Sequence, residues 1–186
     1  MANLIKNIFA RQVLDSRGNP TIFTRLETTN NFVGTSVVPS GASTGAREAL
    51  ELRDLDPNFY QGKSVGKAVK NIMDILGPLL IGKEVSSQSE IDNLMINKDG
   101  TESKSSIGAN AILGVSMALA RAGAHSKNLE LFEYIRSMHS PSNKVYLLPN
   151  PMLNVLNGGS HAFNSTDFQE FMIVPVGNTF KDSLRM

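Results

Sequence analysis

The spacing of apolar and polar residues along the chain predicts three strands at its start. The strand segments are residues 5–14, 21–28 and 32–38, and clusters of turn formers separate them, DSRGNP at 15–20 and TNN at 29–31. In the second segment Ile22, Thr24 and Leu26 share one face, as the two-residue period of a strand requires. Because the links are short, the pattern predicts an antiparallel meander.

After these strands the apolar spacing lengthens to three or four residues, which predicts helices. The first apolar stripe consists of Val65, Val69, Ile72, Leu76 and Leu79. Gly77-Pro78 is expected to end or kink this helix, because proline has no amide hydrogen and its ring crowds the preceding turn.

Capping residues indicate where two further helices begin. Residues 87–90, SQSE, match a capping box, in which the serine hydroxyl and the glutamate carboxylate accept orphan amide hydrogens. Asp99-Gly100 is expected to end that helix. Thr179, with Asp182 three residues later, predicts the cap of a last short helix.

The most apolar helix is predicted at residues 107–124, where alanines and glycines allow close packing. We expect it to be the central buried helix of the N-terminal region. A shorter helix is predicted at 129–137, with Leu131, Phe132 and Ile135 pointing inward.

A change of pattern near residue 140 predicts a second region. Residues 140–143, SPSN, are typical of a linker, and short apolar runs at 151–157 and 168–174 predict buried strands. The connector 158–167 shows no helical period, whereas a parallel crossover normally needs a dozen or more residues and usually a helix. The two strands are therefore predicted to be antiparallel neighbours.

Composition and charge exclude several classes of protein. The 186 residues are 41% hydrophobic and 19% charged, which is ordinary for a globular protein, and the formal net charge of +1 gives no argument for a nucleic-acid partner. The absence of cysteine excludes disulfides and thiolate chemistry. No apolar run approaches the roughly 20 residues of a membrane span, and the first residues do not resemble a signal peptide. A cytoplasmic location is expected.

Candidate chemistry is densest in the second region. His161 lies in the connector, and Gln169 and Glu170 lie at the start of the returning strand, so all three should meet at one end of the hairpin. A carboxylate on a buried strand, between Phe168 and Phe171, is costly unless it is paired, metal-bound or functional. The residues alone leave two hypotheses open: a catalytic or ligand-binding role for His161 and Glu170, or a structural ion pair.

A second candidate is the loop at residues 40–45, SGASTG. Its glycines permit unusual backbone angles, and its small hydroxylated residues allow close approach to phosphate or Mg²⁺. A plain serine–glycine loop is the alternative. The loop lacks the Lys-Ser/Thr ending of a P-loop, so nucleotide binding is not indicated.

Taken in order along the chain, these motifs resemble the opening signatures of enolase. They are DSRGNPT at 15–21, PSGASTG at 39–45, EALELRD at 48–54, IGANAILGVS at 107–116, PMLNVLNGGSHA at 151–162 and QEFMI at 169–173. The resemblance covers essentially all of the chain. It implies an α+β N-terminal capping domain at residues 1–139, and at 140–186 a linker with the first two strands of an incomplete α/β (TIM-like) barrel.

The resemblance also implies an activity. Enolases are lyases of glycolysis and gluconeogenesis that reversibly dehydrate 2-phosphoglycerate to phosphoenolpyruvate, and the resemblance implies Mg²⁺ dependence, a homodimer and a cytoplasmic location. Two Mg²⁺ ions stabilise the charge that develops on the substrate carboxylate. Other members of the superfamily, with different acid substrates, are not expected to combine the loop at 40–45 with the motif at 158–162.

Site roles can be transferred for the residues that match the family motifs. Ser43 matches the loop serine that binds the second Mg²⁺, and Gly41 and Ala42 belong to the same lid over the substrate. His161 matches the histidine on the leaving-group side of the substrate. Gln169 and Glu170 match the pair that contact the substrate and assist the departure of hydroxide.

The resemblance further implies that the primary Mg²⁺ ligands, the lysine base and the phosphate-binding residues lie later in the family's chain. The isolated 186-residue chain is therefore expected to be inactive. The alternative hypothesis is a non-catalytic enolase fragment that acts at most as a binding or dimerisation module.

Overall fold

Three antiparallel strands begin the chain, as the sequence pattern predicted. Strand β1 is Ile5–Leu14, β2 is Pro20–Thr28 and β3 is Val33–Val37, and the order in the sheet is β1-β2-β3. On β2 the side chains of Ile22 and Leu26 are fully buried, which confirms the face assigned from the sequence.

The structure is a computed structural model that describes residues 2–41, 45–139 and 145–186. Contacts divide these residues into two units. The N-terminal unit consists of residues 2–40 and 46–139, and the C-terminal unit consists of residues 145–186 with Gly41 and Gly45. The predicted linker at 140–143 lies outside the described residues.

The helices of the described residues are α1 (Gly66–Asn71), α2 (Gly77–Leu80), α3 (Gln88–Asp99), α4 (Ala109–Ser126), α5 (Leu131–His139) and α6 (Phe180–Arg185). Helix α4 is the buried central helix that its apolar sequence predicted. None of the helices in the part of the chain that the structure describes has the length and apolarity to cross a bilayer.

Helix α4 packs directly on the backbone of the sheet. A Cβ atom placed on Gly34 of β3 would lie 1.9 Å from the carbonyl oxygen of Ala118 and 2.5 Å from the amide nitrogen of Ala122. The Ser36 hydroxyl, two residues along the same strand, donates a hydrogen bond to the carbonyl oxygen of Gly114 at 2.6 Å. Strand and helix therefore meet without an intervening side chain, which is the closest approach that glycine permits.

The helical segment that precedes α3 continues past Gly77-Pro78, so of the two predicted alternatives, an end or a kink, the end is wrong. Between α1 and α2 the backbone forms one π-helical turn, Ile72–Leu76, and the helix then continues to Leu80. The amide of Gly77 donates to the carbonyl oxygen of Ile72, five residues earlier. This wider turn makes room for the proline ring, so the departure from α geometry lies before the proline.

The capping predictions had different outcomes. Ser87 occupies the N-cap of α3, but its side chain makes no capping hydrogen bond, so the predicted capping box is wrong. Its ψ of 50° is not the extended conformation that directs an N-cap hydroxyl at the first turn. Helix α3 ends at Asp99-Gly100 as predicted. The predicted cap of α6 is confirmed, because the Thr179 hydroxyl accepts the amide hydrogen of Asp182 at 3.1 Å.

Helix α5 turns a different side inward from the one predicted. Phe132 and Ile135 are 57% and 42% exposed, whereas Tyr134 is completely buried. The Tyr134 ring fills the space over Gly123 of α4, where a Cβ atom would lie 2.5 Å from the tyrosine hydroxyl. Gly123 of α4 therefore decides the orientation of α5. The spacing of apolar residues within α5 contains no information about a glycine on another helix. Burial raises the pKa of the Tyr134 hydroxyl.

The C-terminal unit contains an antiparallel hairpin, which confirms the predicted strand direction. Strand β4 is Leu153–Asn157 and β5 is Glu170–Ile173. The expectation that both strands are buried is wrong, since nearly all of their residues are exposed. Among the described residues each strand pairs with the other alone, so the outer edge of each strand has no strand partner.

Side chains and backbone from neighbouring elements contact the outer strands of the N-terminal sheet. The amide of Ala10 in β1 donates to the thioether sulfur of Met73 at 3.2 Å, and the amide of Ile5 donates to the carbonyl oxygen of Lys83 at 2.8 Å. On β3 the carbonyl oxygen of Val33 lies 2.7 Å from Nδ1 of His125. A carbonyl can only accept, so Nδ1 carries the proton.

Asp99 is a buried carboxylate that organises the turn after α3. Its oxygens accept the backbone amides of Thr101 at 3.0 Å and Ile107 at 2.6 Å, and the Thr101 hydroxyl also donates to it. Burial alone would raise the pKa of Asp99. The hydrogen bonds from Thr101, Ile107 and Gly108 outweigh that effect and hold the pKa below its ordinary value.

Replacing Asp99→Asn is expected to lower the free energy of unfolding by about 1–3 kcal/mol at neutral pH, because charge-assisted hydrogen bonds are lost. The pKa is lower in the folded than in the unfolded state, so the carboxylate stabilises the fold above its unfolded pKa of about 3.9. This contribution is lost as the pH falls through the folded pKa. Urea unfolding at about pH 7 and about pH 3 measures the difference. The exposed Asp74→Asn is the control, and a D99N defect that does not shrink between the two pH values would contradict the assignment.

Replacing Gly34→Ala is expected to destabilise the protein by more than about 3 kcal/mol, because the new methyl group collides with backbone rather than with a movable side chain. Thr35→Ala, on the exposed side of the same strand, is expected to change stability by roughly 0.5 kcal/mol or less. Chemical denaturation compares the two variants. Equal stabilities would show that α4 does not lie against β3 as described.

Candidate active site

The hairpin register brings the predicted site residues to one end of the C-terminal unit. Asn157, the last residue of β4, is opposite Glu170, the first residue of β5. The next rung is a hydrogen bond from the amide of Gly158 to the carbonyl oxygen of Gln169, at 2.9 Å. Residues 157–158 and 169–170 are therefore the last paired residues of the hairpin, and the connector joins them.

Two glycines fold the connector back over these paired residues. A Cβ atom on Gly158 would lie 2.2 Å from the carbonyl oxygen of Phe168, and Gly159 has a φ of +54°. The amide of Gly159 bonds to the carbonyl oxygen of Thr166 at 2.7 Å, and a short 3₁₀ turn spans Gly159–His161. The close approach and the left-handed angle both favour glycine. The turn places His161 beside Glu170, the first residue of β5.

His161, Gln169 and Glu170 form one contiguous polar cluster. The side-chain amide nitrogen of Gln169 lies 3.1 Å from Nε2 of His161, and Nδ1 of His161 lies 3.5 Å from a carboxylate oxygen of Glu170. An amide nitrogen can only donate, so Nε2 accepts and the ring proton sits on Nδ1, facing Glu170. Such an imidazole can exchange a proton through Nε2 when a ligand displaces the amide, while the carboxylate stabilises the charged ring.

The surroundings of Glu170 differ from the sequence expectation. Its side chain is 34% exposed, and Phe168 and Phe171 are 71% and 39% exposed. The two rings meet edge to face, with centroids 5.9 Å apart, but they do not enclose the carboxylate. Glu170 is therefore not the costly buried charge that the sequence predicted. The contact with His161 is present, and it is compatible with both the functional and the structural hypothesis.

The second predicted site element is described in part. Gly41 and Gly45 are exposed and belong by their contacts to the C-terminal unit. Ala42 and Ser43 lie outside the described residues, so their predicted substrate and metal roles stay predictions. Within residues 2–41, 45–139 and 145–186, no three histidine or carboxylate side chains are grouped so as to hold a metal ion.

A charged network that the sequence did not predict joins Ser40, the first residue of the loop at 40–45. Arg53 donates to the Ser40 hydroxyl at 3.2 Å and to the Glu51 carboxylate at 2.6 Å, and the Ser40 hydroxyl donates to the other oxygen of Glu51 at 3.1 Å. The available signal was a pair of opposite charges two residues apart, in a stretch without helical or strand period.

A cavity of about 800 Å³ lies elsewhere, in the N-terminal unit, and contains none of the predicted site residues. Its lining residues are Asn31, Phe32, Val33, His125, Asn128, Leu129, Glu130 and Glu133. The cavity is wide open to solvent, so its size alone gives no reason to prefer it over the polar cluster of the hairpin.

Comparison with protein families assigns both parts of the chain. Residues 5–135 match the family model described as the N-terminal domain of enolase, and residues 145–186 match the one described as the C-terminal TIM barrel domain of enolase. The chain belongs to the enolase family. The predicted α+β fold with the first two strands of the barrel is therefore confirmed, and the polar cluster lies in the part that matches the enolase barrel.

Membership of the enolase family places the protein in a family of lyases. It does not by itself decide whether His161 and Glu170 act in chemistry or hold the hairpin together. A double-mutant cycle on stability separates these two hypotheses.

The coupling energy between His161→Ala and Glu170→Gln, measured by chemical denaturation, is expected to be below about 1 kcal/mol, because the pair is long and partly exposed. A coupling above about 2 kcal/mol would instead favour a structural ion pair. The pair Lys6 and Glu27, also 3.5 Å apart and partly exposed, is the control.

Proposed function

We propose that the protein of which these residues form the N-terminal part is an enolase that reversibly dehydrates 2-phosphoglycerate to phosphoenolpyruvate in glycolysis and gluconeogenesis. The observation that carries the proposal is the contact of His161 with both Gln169 and Glu170, in the segment that matches the enolase barrel. A homodimeric, cytoplasmic protein with this phosphorylated acid as its small-molecule partner is part of the same proposal.

The reaction removes a proton and a hydroxide from adjacent carbons, and the departing hydroxide needs a proton to leave as water. Glu170 and His161 are suited to relay that proton, since Nδ1–H faces the carboxylate and Nε2, which carries no proton in this tautomer, can take one up and release it. Gln169 holds the ring through Nε2 and presents an amide that the substrate can displace. We assign the catalytic roles to Glu170 and His161, and substrate contact to all three residues together with Gly41 and Ala42.

Magnesium dependence, which is general in the enolase family, belongs to the proposal. The described residues do not by themselves fit a metal ion, because no group of three suitable side chains occurs in them. Ser43 remains the proposed ligand of this chain for the second ion.

The proposal assigns residues 1–139 to the capping domain and residues 140–186 to a linker and the start of the barrel. In this arrangement the loop at 41–45 belongs to the capping domain in sequence. By their contacts Gly41 and Gly45 are grouped with the C-terminal unit, and this grouping supports the proposed role of the loop as a lid.

The test is the conversion of 2-phosphoglycerate by the full gene product, followed as formation of phosphoenolpyruvate with and without Mg²⁺. Glu170→Gln and His161→Ala are each expected to lower kcat by about 10²–10⁴-fold, the usual contribution of a general acid or base. Glu90→Gln and His139→Ala, both on exposed helix positions, are expected to keep wild-type rates.

A full-length protein that folds but gives no Mg²⁺-dependent product would refute the proposed function. Full activity in E170Q and H161A would refute the site assignment alone. The intact mass of the protein from its native source identifies the polypeptide to assay. A mass near 20.2 kDa would support the alternative, a non-catalytic binding or dimerisation module.

A further inference from the structure

One arginine joins three separated segments of the N-terminal unit. Nη1 of Arg53 donates to the carbonyl oxygens of Pro20 and Lys63, both at 2.6 Å. Nη2 donates to the Ser40 hydroxyl at 3.2 Å and to the Glu51 carboxylate at 2.6 Å. The side chain is 16% exposed, so these bonds are partly shielded from competing water.

The geometry uses the fork of the guanidinium group. Two nitrogen atoms reach four acceptors in different directions, which a lysine ammonium on a flexible stem cannot do at once. Glu51 closes the arrangement, since one of its oxygens accepts from Arg53 and the other accepts from the Ser40 hydroxyl at 3.1 Å. Arg53, Glu51 and Ser40 thus form a ring of hydrogen bonds, which we call the Arg53 clamp.

The segments that the clamp joins are themselves ordered by local bonds. The Asp15 carboxylate accepts the amides of Arg17 and Asn19, which shapes the turn that ends at Pro20. The Thr21 hydroxyl donates to the carbonyl oxygen of Val38 at 2.6 Å, two residues before Ser40. The chain that leads to Gly41 is therefore fixed at two successive points, Val38 and Ser40.

We propose that Arg53, acting through Glu51 and Ser40, is a positioning residue that fixes where Gly41 presents its backbone to the substrate. The inference rests on the proposed function, in which Gly41 contacts the phosphorylated acid. A loop end that is already ordered loses less conformational entropy when it binds a ligand. The clamp therefore contributes to substrate affinity rather than to the chemical step.

This role differs from that of a purely structural staple in what it changes. Loss of a staple lowers the fraction of folded enzyme, which reduces the apparent kcat and leaves KM unaltered. Loss of a positioning residue weakens binding in the ground state and the transition state alike, which raises KM and leaves kcat nearly unaltered. The split between KM and kcat separates the two.

The test compares full-length Arg53→Lys and Ser40→Ala with the wild-type protein. R53K is expected to raise KM for 2-phosphoglycerate about tenfold, with kcat within about threefold of wild type. S40A removes the two bonds of the Ser40 hydroxyl and keeps the Arg53–Glu51 pair, so a smaller rise in KM with a smaller change in Tm than in R53K is expected. Arg121→Lys is the control, because the guanidinium of Arg121 bonds to the carbonyl oxygen of Met117 within its own helix.

A second measurement does not depend on turnover. Amide hydrogen exchange of the ligand-free protein is expected to be faster in R53K than in wild type for peptides that cover residues 15–23 and 36–41. Unchanged exchange would overturn the clamp. Faster exchange with an unaltered KM in both R53K and S40A would overturn the positioning role. If the wild-type protein does not convert 2-phosphoglycerate, both the proposed function and the positioning role are refuted. The hydrogen-exchange result still decides whether the clamp exists.

Discussion

The close approach of helix α4 to strand β3 is the constraint on which the N-terminal unit depends. Gly34 brings the strand backbone against the backbone of α4 at Ala118 and Ala122, and Ser36 bonds to the same helix one turn earlier, at Gly114. Fully buried Ile22 and Leu26 on the neighbouring strand belong to the same core. On helix α4 itself, Gly123 leaves the space that the Tyr134 ring fills, which in turn orients α5. Two missing side chains, at Gly34 and Gly123, thus set how closely α4 packs against β3 and α5.

The sequence predicted best those features that depend on local chemistry. The turn residues around Gly18 and Asn30 placed all three strands to within one or two residues, and Thr179 with Asp182 capped α6 as expected. It failed where the outcome depended on a distant partner. Phe132 and Ile135 have the right period for an inward face, but the space over Gly123 accepts Tyr134 instead. The π turn at Ile72–Leu76 likewise has no counterpart in a simple count of apolar spacings.

The candidate site shows the same division. Its members could be named because the motif NGGSHA and the pair Gln169-Glu170 are specific, and the short connector required an antiparallel hairpin. In the structure Gln169 contacts one ring nitrogen of His161 and Glu170 contacts the other. The sequence could not predict which residue contacts which nitrogen, because the ring orientation depends on the left-handed φ at Gly159. The sequence also did not predict the Arg53 network, because two of its four acceptors are backbone carbonyls, which carry no signature in a sequence.

The contacts on the outer strands of the N-terminal sheet have a consequence for association between molecules. An edge strand with free amides and carbonyls is a template on which another chain can add a strand. Here the amides of Ala10 and Ile5 are hydrogen-bonded to the Met73 sulfur and to the carbonyl oxygen of Lys83. The carbonyl oxygen of Val33 accepts a hydrogen bond from His125. A foreign strand would have to displace a thioether, a backbone segment and an imidazole before it could pair at these positions. The sheet thus resists templated growth through residues drawn from its own helices and loops.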